Sequence, residues 1–299
     1  MSNDTQNTVL VIGAGLMGTG IAHGFALAGA DVLLHDTAQM AAERAVTEVG
    51  TIFDGAVKLG KLGTGDADAA KARVKIAPDL AAAAAQSGLV IETATENIGV
   101  KVDIFDTVNA NAPPSAILAT NTSALSVTEL AAATRDPGRF AGMHFFNPVH
   151  KMKLVEVVRG LATTPETVKT LLGWAERMGK QSIVVSEAPG FTTSRMSALM
   201  GNEAMYMLQE GVASAEDIDT AMRLGFGHPM GPLELGDLTG WDTRFAVLQY
   251  LHRVLGEKFR PCPLIEKMVK AKRYGRKVGH GVYRYEHGKK VPGSGLSAR

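Results

Sequence analysis

Residues 8–36 read TVLVIGAGLMGTGIAHGFALAGADVLLHD, and they decide the fold. A short apolar run, 8–12, leads into Gly13-Ala14-Gly15-Leu16-Met17-Gly18, a G-x-G-x-x-G. A helical pattern follows from Leu16, then a second apolar run that ends at Asp36, 18 residues after Gly18. The glycine spacing alone is weak evidence. Set between a strand and a helix, with an acid closing the next strand, it is a dinucleotide-binding fingerprint. Gly13 permits the tight turn, Gly15 lets a pyrophosphate approach the backbone, and Gly18 lets the helix pack on the strand. Leu16 and Met17 open the helix, whose N-terminal N–H groups and dipole favour phosphate. Asp36 is suited to the ribose hydroxyls and would repel a 2′-phosphate, so the expected cofactor is NAD rather than NADP. Arg44, on the next helix, is the residue that could reach a 2′-phosphate instead. FAD is the other cofactor that uses this fingerprint.

Outward from this unit the alternation continues. Apolar runs at 89–95, 116–121, 140–146, 153–158 and 181–186 alternate with helical patterns at 38–60, 98–111 and 165–179. Continuous Val/Ile/Leu strands alternating with helices predict a parallel sheet covered on both faces, an α/β doubly wound Rossmann-type domain. The strands from 140 onward crowd together, which predicts an appended β-hairpin or antiparallel edge there. After Pro189-Gly190 the pattern turns helical, at 196–211 with a glycine cap, at 214–225 with Ser214 and Asp217 as a near capping box, at 243–256 and at 262–274. One further strand is expected at GVYRY, 281–285. The expected division is a Rossmann domain over 1–188 and an all-α domain over 189–299. The alanine run 81–85 reads as a helix surface, and the polar tail from 286 as mobile.

The composition excludes several classes. With 299 residues, 31 Lys+Arg against 30 Asp+Glu and a net charge of +1, nothing argues for nucleic acid or an anionic membrane. No apolar run approaches the roughly 18 residues of a membrane span. The polar start, MSNDTQN, has no basic-then-apolar pattern of a signal peptide. A single cysteine, Cys262, rules out an internal disulfide and suits a cytoplasmic protein; it reads as a plain buried thiol. No metal site is expected.

The chemistry concentrates in GMHFFNPVHKMKLVEVV, 142–158. Glu156 sits between Val155 and Val157, and a carboxylate is almost never buried without a partner. A lone histidine in an apolar strand is ordinarily a satisfied core residue. Here a neighbouring-strand pair of His144 with Glu156 explains both residues: the carboxylate holds one ring nitrogen protonated, and the other is free to move a proton. His150, six positions on, reads as a solvated turn residue. The polar cluster Thr120-Asn121-Thr122-Ser123 lies beyond a strand end, where it can bond a substrate or the nicotinamide; Ser123 or Ser126 can equally cap the following helix. Thr95-Glu96-Asn97 occupies the corresponding place after the fourth run.

Together these residues resemble the L-3-hydroxyacyl-CoA dehydrogenase family, in particular its short-chain, 3-hydroxybutyryl-CoA branch. The resemblance runs from VIGAGLMGTGIA to KVGHGVYRY and includes ATNTSALS, HFFNPV, KLVEVV, EAPGF, EDIDTAMRLG and HPMGPLELGDLTG. It implies a Rossmann domain followed by a helical domain that forms a homodimer, and reversible NAD-dependent oxidation of an L-3-hydroxyacyl-CoA. It also implies His144 as general acid/base, Glu156 as the residue orienting it, and Ser123 at the substrate's 3-oxygen. Glu96, Lys101 and Asn121 are implied near the nicotinamide end of the cofactor, and Asn147 and Lys58, with Lys61, against the acyl-CoA. The chain departs from the family at Ser194, where P-G-F-x-x-N-R has asparagine. A serine keeps a donor but is shorter, so Ser194 or a water supplies that contact, or the enzyme is differently tuned. Two alternatives stand beside this reading: a dehydrogenase of a non-CoA hydroxy acid of carnitine or gulonate type, and a non-catalytic NAD-binding protein.

Overall fold

The computed structural model describes residues 7–297, so most of the N-terminal stretch read above lies outside the described residues. The chain divides into two compact units, one ending at Ala188 and one beginning at Pro189.

The first unit contains β1 (Thr8–Ile12), α1 (Leu16–Leu27), β2 (Asp31–His35), α2 (Gln39–Lys58), α3 (Thr64–Ala72), β3 (Val74–Ile76), α4 (Leu80–Ala84), β4 (Leu89–Glu92), α5 (Ile98–Asn111), β5 (Ile117–Thr120), α6 (Val127–Ala132), β6 (Phe140–Phe145), β7 (Leu154–Arg159), α7 (Pro165–Arg177) and β8 (Gln181–Ser186). The eight strands lie in the order β3-β2-β1-β4-β5-β6-β7-β8. All neighbours are parallel except β6 and β7. Strand order reverses between β1 and β4, which opens the crevice at their carboxyl ends that such sheets use for ligands. β1 and β4 form because Val, Leu and Ile run without interruption, and the sheet buries them on both faces. α2 turns Ala42, Ala45, Val49 and Phe53 inward, a 3-4-4 spacing that makes one apolar stripe. α7 starts from Pro165 with Thr164 as its N-cap and sets Trp174 edge-on to Phe25 at 5.3 Å.

Two elements escape the sequence reading, one expectation needs correction and one alternative is decided. α3 and β3 were absent from the sequence reading, because β3 has three residues and only Val74 is buried. The alanine run is a helix, as expected, yet Ala83 and Ala84 face the core rather than solvent. Of the two serines expected to cap α6, it is Ser126 that does so, accepting the Glu129 N–H.

The second unit contains α8 (Thr193–Glu210), α9 (Ala215–Phe226), α10 (Pro232–Thr239), α11 (Trp241–Leu255), α12 (Pro263–Lys270) and a minimal ribbon of β9 (Tyr285–Glu286) with β10 (Lys289–Lys290). α8 ends on left-handed Gly211. Ser214 caps α9 and exchanges hydrogen bonds with Asp217, but the helix runs past Gly225 and closes at Gly227. α10 went unread, and only the last residue of GVYRY is strand. The tail is not loose over its described part: the Leu296 N–H donates to the Val282 carbonyl at 2.9 Å, and the Gly295 N–H to Glu216 at 2.8 Å. Cys262 is buried, as expected.

This unit is organised around a fully buried carboxylate. Asp237 accepts from Trp241 Nε1 at 2.7 Å, from the Val282 and Tyr283 N–H groups at 2.8 Å each, and from the Tyr285 hydroxyl at 3.1 Å. Burial pushes its pKa up against these donors. The carboxylate therefore ties α10, α11 and the 281–285 segment together. Asp237→Ala leaves the donors without an acceptor and is expected to destabilise the unit by about 3–5 kcal/mol in urea denaturation; a loss below about 1 kcal/mol would contradict this account.

Candidate active site

The turn after β1 has the shape that the glycine spacing predicts. Gly13 has φ +99°, and its N–H donates to the His35 carbonyl at 2.8 Å. A Cβ on Gly18 would stand 1.7 Å from the Gly13 carbonyl oxygen, so only glycine lets α1 come this close. Above Gly15 there is no atom within 4 Å of an added Cβ, which is the open approach a phosphate needs. α1 carries no side-chain cap at Gly15, leaving its first N–H groups for an anion. Leu16 is exposed at this helix start and Met17 is half-buried. Asp36 braces the turn by accepting the Ala14 N–H at 2.7 Å and the Ala38 N–H at 2.9 Å. A cavity of about 660 Å³ runs beside it, lined by Gly13, Gly15, Asp36 and Thr95 and by the apolar Leu80 and Val100. These residues fit a dinucleotide: N–H groups for the phosphates, a carboxylate for a ribose, an apolar slot for a base. On the far side of Gly15 a second cavity, about 340 Å³, takes in Leu16, Arg44, Asn147 and His150.

Beyond the end of β4, carboxylates and one amine form a network. Glu92 is fully buried; it binds the Lys101 ammonium through both oxygens at 2.7 and 2.8 Å, and accepts from the Thr120 hydroxyl at 2.7 Å and the Ala94 N–H at 2.6 Å. Lys101 is 1% exposed and lies 3.6 Å from Glu96. Glu96 accepts from the Thr122 hydroxyl, from the Ser123 N–H at 3.0 Å and from the Ala124 N–H at 3.2 Å. Lys101 therefore lies beneath the crevice and steadies the two glutamates. The sequence reading missed Glu92, although a carboxylate closing the apolar run LVIE is the same signal that drew attention to Glu156. Asn121 is held as well: its side-chain oxygen accepts the Phe145 N–H at 2.8 Å and ties β5 to β6.

The antiparallel step between β6 and β7 sets His144 directly opposite Glu156. Directly opposed residues share a face of the sheet, so the two side chains meet. Glu156 is fully buried and accepts from His144 Nδ1 at 2.7 Å. The other ring nitrogen, Nε2, lies 3.0 Å from the Ser123 hydroxyl oxygen. The carboxylate assigns the Nδ1–H tautomer to the neutral ring and leaves Nε2 as the basic nitrogen beside Ser123. The Phe146 ring packs at 4.7 Å from the imidazole and shields one side of it.

The remaining candidates lie elsewhere. His150 is an exposed turn residue. Lys58 and Lys61 are exposed around the C-terminal end of α2. Ser194 is in the first turn of α8, in the second unit. Among the described residues no group of His, Cys, Asp and Glu could hold a metal ion, and no helix is long and apolar enough to cross a membrane.

The reversed strand order, the glycine turn and a histidine oriented by a carboxylate at the strand ends are what a dehydrogenase working with a nicotinamide dinucleotide requires. The comparisons narrow that class. Residues 8–188 match the NAD-binding domain of 3-hydroxyacyl-CoA dehydrogenase and residues 190–285 its C-terminal domain. The 3-hydroxybutyryl-CoA dehydrogenase of Bradyrhizobium diazoefficiens is 45% identical over 285 residues, 94% of this chain and 96% of that protein. The probable 3-hydroxybutyryl-CoA dehydrogenase of Bacillus subtilis is 44% identical, over 93% of this chain and 97% of its own. The crystal structure of (S)-3-hydroxybutyryl-CoA dehydrogenase from Ralstonia eutropha superposes with a TM-score of 0.90 at 42% identity, covering 94% of this chain and 99% of that one. The chain belongs to the 3-hydroxyacyl-CoA dehydrogenase family, and its first unit is that family's NAD-binding domain.

Asp36 makes a prediction about the cofactor. NADH is expected to bind at least about ten-fold more tightly than NADPH, the cost of one unfavourable charge contact, and Asp36→Ala is expected to narrow the gap. Fluorescence titration measures both; tighter NADPH binding by the unaltered protein would remove the role given to Asp36.

Proposed function

We propose that the protein catalyses reversible NAD-dependent oxidation of a short-chain L-3-hydroxyacyl-CoA, 3-hydroxybutyryl-CoA, to the 3-ketoacyl-CoA. The observation that carries this reading is the relay of contacts Glu156–His144–Ser123, at 2.7 and 3.0 Å. When bound, NAD accepts the hydride from C3. Ser123 donates to, or accepts from, the 3-oxygen and holds it at His144 Nε2. His144 takes the hydroxyl proton on that nitrogen, and Glu156 stabilises the imidazolium so formed without itself becoming protonated. In the reverse direction the same nitrogen returns the proton to the carbonyl oxygen. Gly13, Gly15 and Gly18, with the start of α1, hold the pyrophosphate, and Asp36 the ribose. Glu96, held by the Thr122 hydroxyl, the Ser123 and Ala124 N–H groups and Lys101, would meet the nicotinamide ribose, with Asn121 setting the strand end beside it. Asn147 and Lys58 are the contacts assigned to the acyl-CoA.

We further infer a cytoplasmic homodimer formed through the helical unit. Leu224 and Phe226 of α9, 80% and 75% exposed, support the dimer, and the single cysteine supports a reducing compartment.

With NADH and acetoacetyl-CoA, the purified protein is expected to lose absorbance at the reduced-cofactor band. His144→Ala should lower kcat by about 10³–10⁴ and Glu156→Gln by about 10²–10⁴, with the NADH Kd unchanged in both. Absence of turnover by the unaltered protein would refute the reading, and equal turnover of free acetoacetate would redirect it to a non-CoA hydroxy acid. Ser194 gives a separate expectation. If its hydroxyl replaces the family's amide donor, Ser194→Ala lowers kcat by about 10²–10³ and Ser194→Asn restores or exceeds the original rate; an unaffected Ser194→Ala enzyme would exclude that donor.

A further inference from the structure

The helical unit encloses a cavity of about 560 Å³ that the reaction does not use, bounded by α8, α12 and the C-terminal tail. Lys267, Arg273, His280 and Arg284 stand in its walls, and no lining residue is a carboxylate. Such an accumulation of one sign around a concave surface is unusual in a chain whose total charge is only +1.

Arg273 is the fixed member. Its Nε and Nη2 donate to the Gly281 carbonyl at 3.0 and 2.6 Å, so the guanidinium is oriented before any ligand arrives. It is half-buried, and burial lowers its pKa against the opposing effect of the Asp237 charge. Lys267 and Arg284 are exposed at the mouth. The pKa of His280 is also lowered, first by burial and then by Arg273 and Arg284, so the field of both cations reaches the imidazole. The carboxylates packed nearby are engaged elsewhere. Glu216 accepts the Gly295 N–H at 2.8 Å, and Asp237 is filled by its four donors, so its charge acts on Arg273 without occupying an Arg273 N–H.

We propose that this cavity binds a small ligand carrying two or more phosphate charges. A single carboxylate would satisfy one cation and leave the others facing each other. A diphosphate offers oxygens to the Arg273 N–H groups that Gly281 does not engage and to the Lys267 and Arg284 charges together. The volume exceeds what one phosphate fills and suits a diphosphate with a small substituent.

The probe is inorganic pyrophosphate, titrated calorimetrically into the full-length protein at constant ionic strength, with saturating NADH so that the glycine turn is already filled. One binding event per chain is expected. Lys267→Gln/Arg284→Gln is expected to raise its Kd by about ten-fold or more while leaving NADH oxidation unchanged. In the unaltered protein, pyrophosphate should raise the pKa of His280, followed by NMR of labelled histidine and identified by its loss in His280→Gln, because a nearby anion favours the imidazolium. This last readout does not depend on the folding of the double variant. The proposal is overturned if pyrophosphate produces no more heat than sodium chloride of matched ionic strength, if the double variant binds as well as the original, if His280 does not respond, or if malonate binds as tightly as pyrophosphate.

Discussion

The hydrogen bond between Glu156 and His144 is the interaction on which the candidate site depends. A fully buried carboxylate is stable only with a partner that compensates its lost hydration. The partner exists because β7 turns back along β6, the one antiparallel step in the eight-stranded sheet. A parallel β7 would pair different residues. A register slip of one would turn the Glu156 side chain to the opposite face, into the space that Val155 and Val157 now fill beside α1 and α7. Topology, register and catalytic geometry are therefore one constraint. The parallel pairing of β5 with β6 completes it by setting the 121–123 turn against the histidine.

The same device recurs through the molecule. Glu92 holds Lys101 beneath the crevice, Asp36 holds the glycine turn, Glu96 holds the turn that carries Ser123, and Asp237 holds the helical unit's last segment. In each case a carboxylate collects N–H or ammonium donors that the fold would otherwise leave without acceptors. Near the reaction this has a chemical effect. In the reaction proposed above, the groups that would meet cofactor and substrate are already oriented, so less reorganisation would be left for the chemical step. Away from it, as at Asp237, the effect is stability alone.

Much of this was legible in the sequence because local pattern and tertiary role coincide. The glycine spacing dictates backbone shapes that only glycine allows. Asp36 follows one strand and braces the glycine turn at the end of its neighbour. Glu156 was conspicuous by polarity, and His144 followed as the group that could satisfy it. What stayed hidden depends on long-range partners. α10 has only eight residues, no side-chain cap at Gly231 and a glycine in its interior, so its helix signal is weak, and Asp237 is explained by donors 45 and 46 residues away. GVYRY is held by that carboxylate rather than by a sheet, so its strand-like composition misled. Lys101 follows from the family resemblance, but its burial does not: a lysine on a helix ordinarily reads as surface, and only the position of Glu92 reveals the ion pair. The tail beyond 286 looked loose because its anchors, Glu216 and Val282, lie outside it.

The central claim is that Glu156 fixes the imidazole of His144 with Nδ1 protonated and Nε2 as the nitrogen that carries the proton. Nitrogen NMR of ¹⁵N-labelled histidine in the free enzyme, at a pH where the ring is neutral, reads this directly. The account predicts a protonated Nδ1 and an unprotonated Nε2 for His144, with that preference lost in Glu156→Gln. A neutral ring carrying its proton on Nε2, or a tautomer unchanged by removing the Glu156 charge, would contradict it.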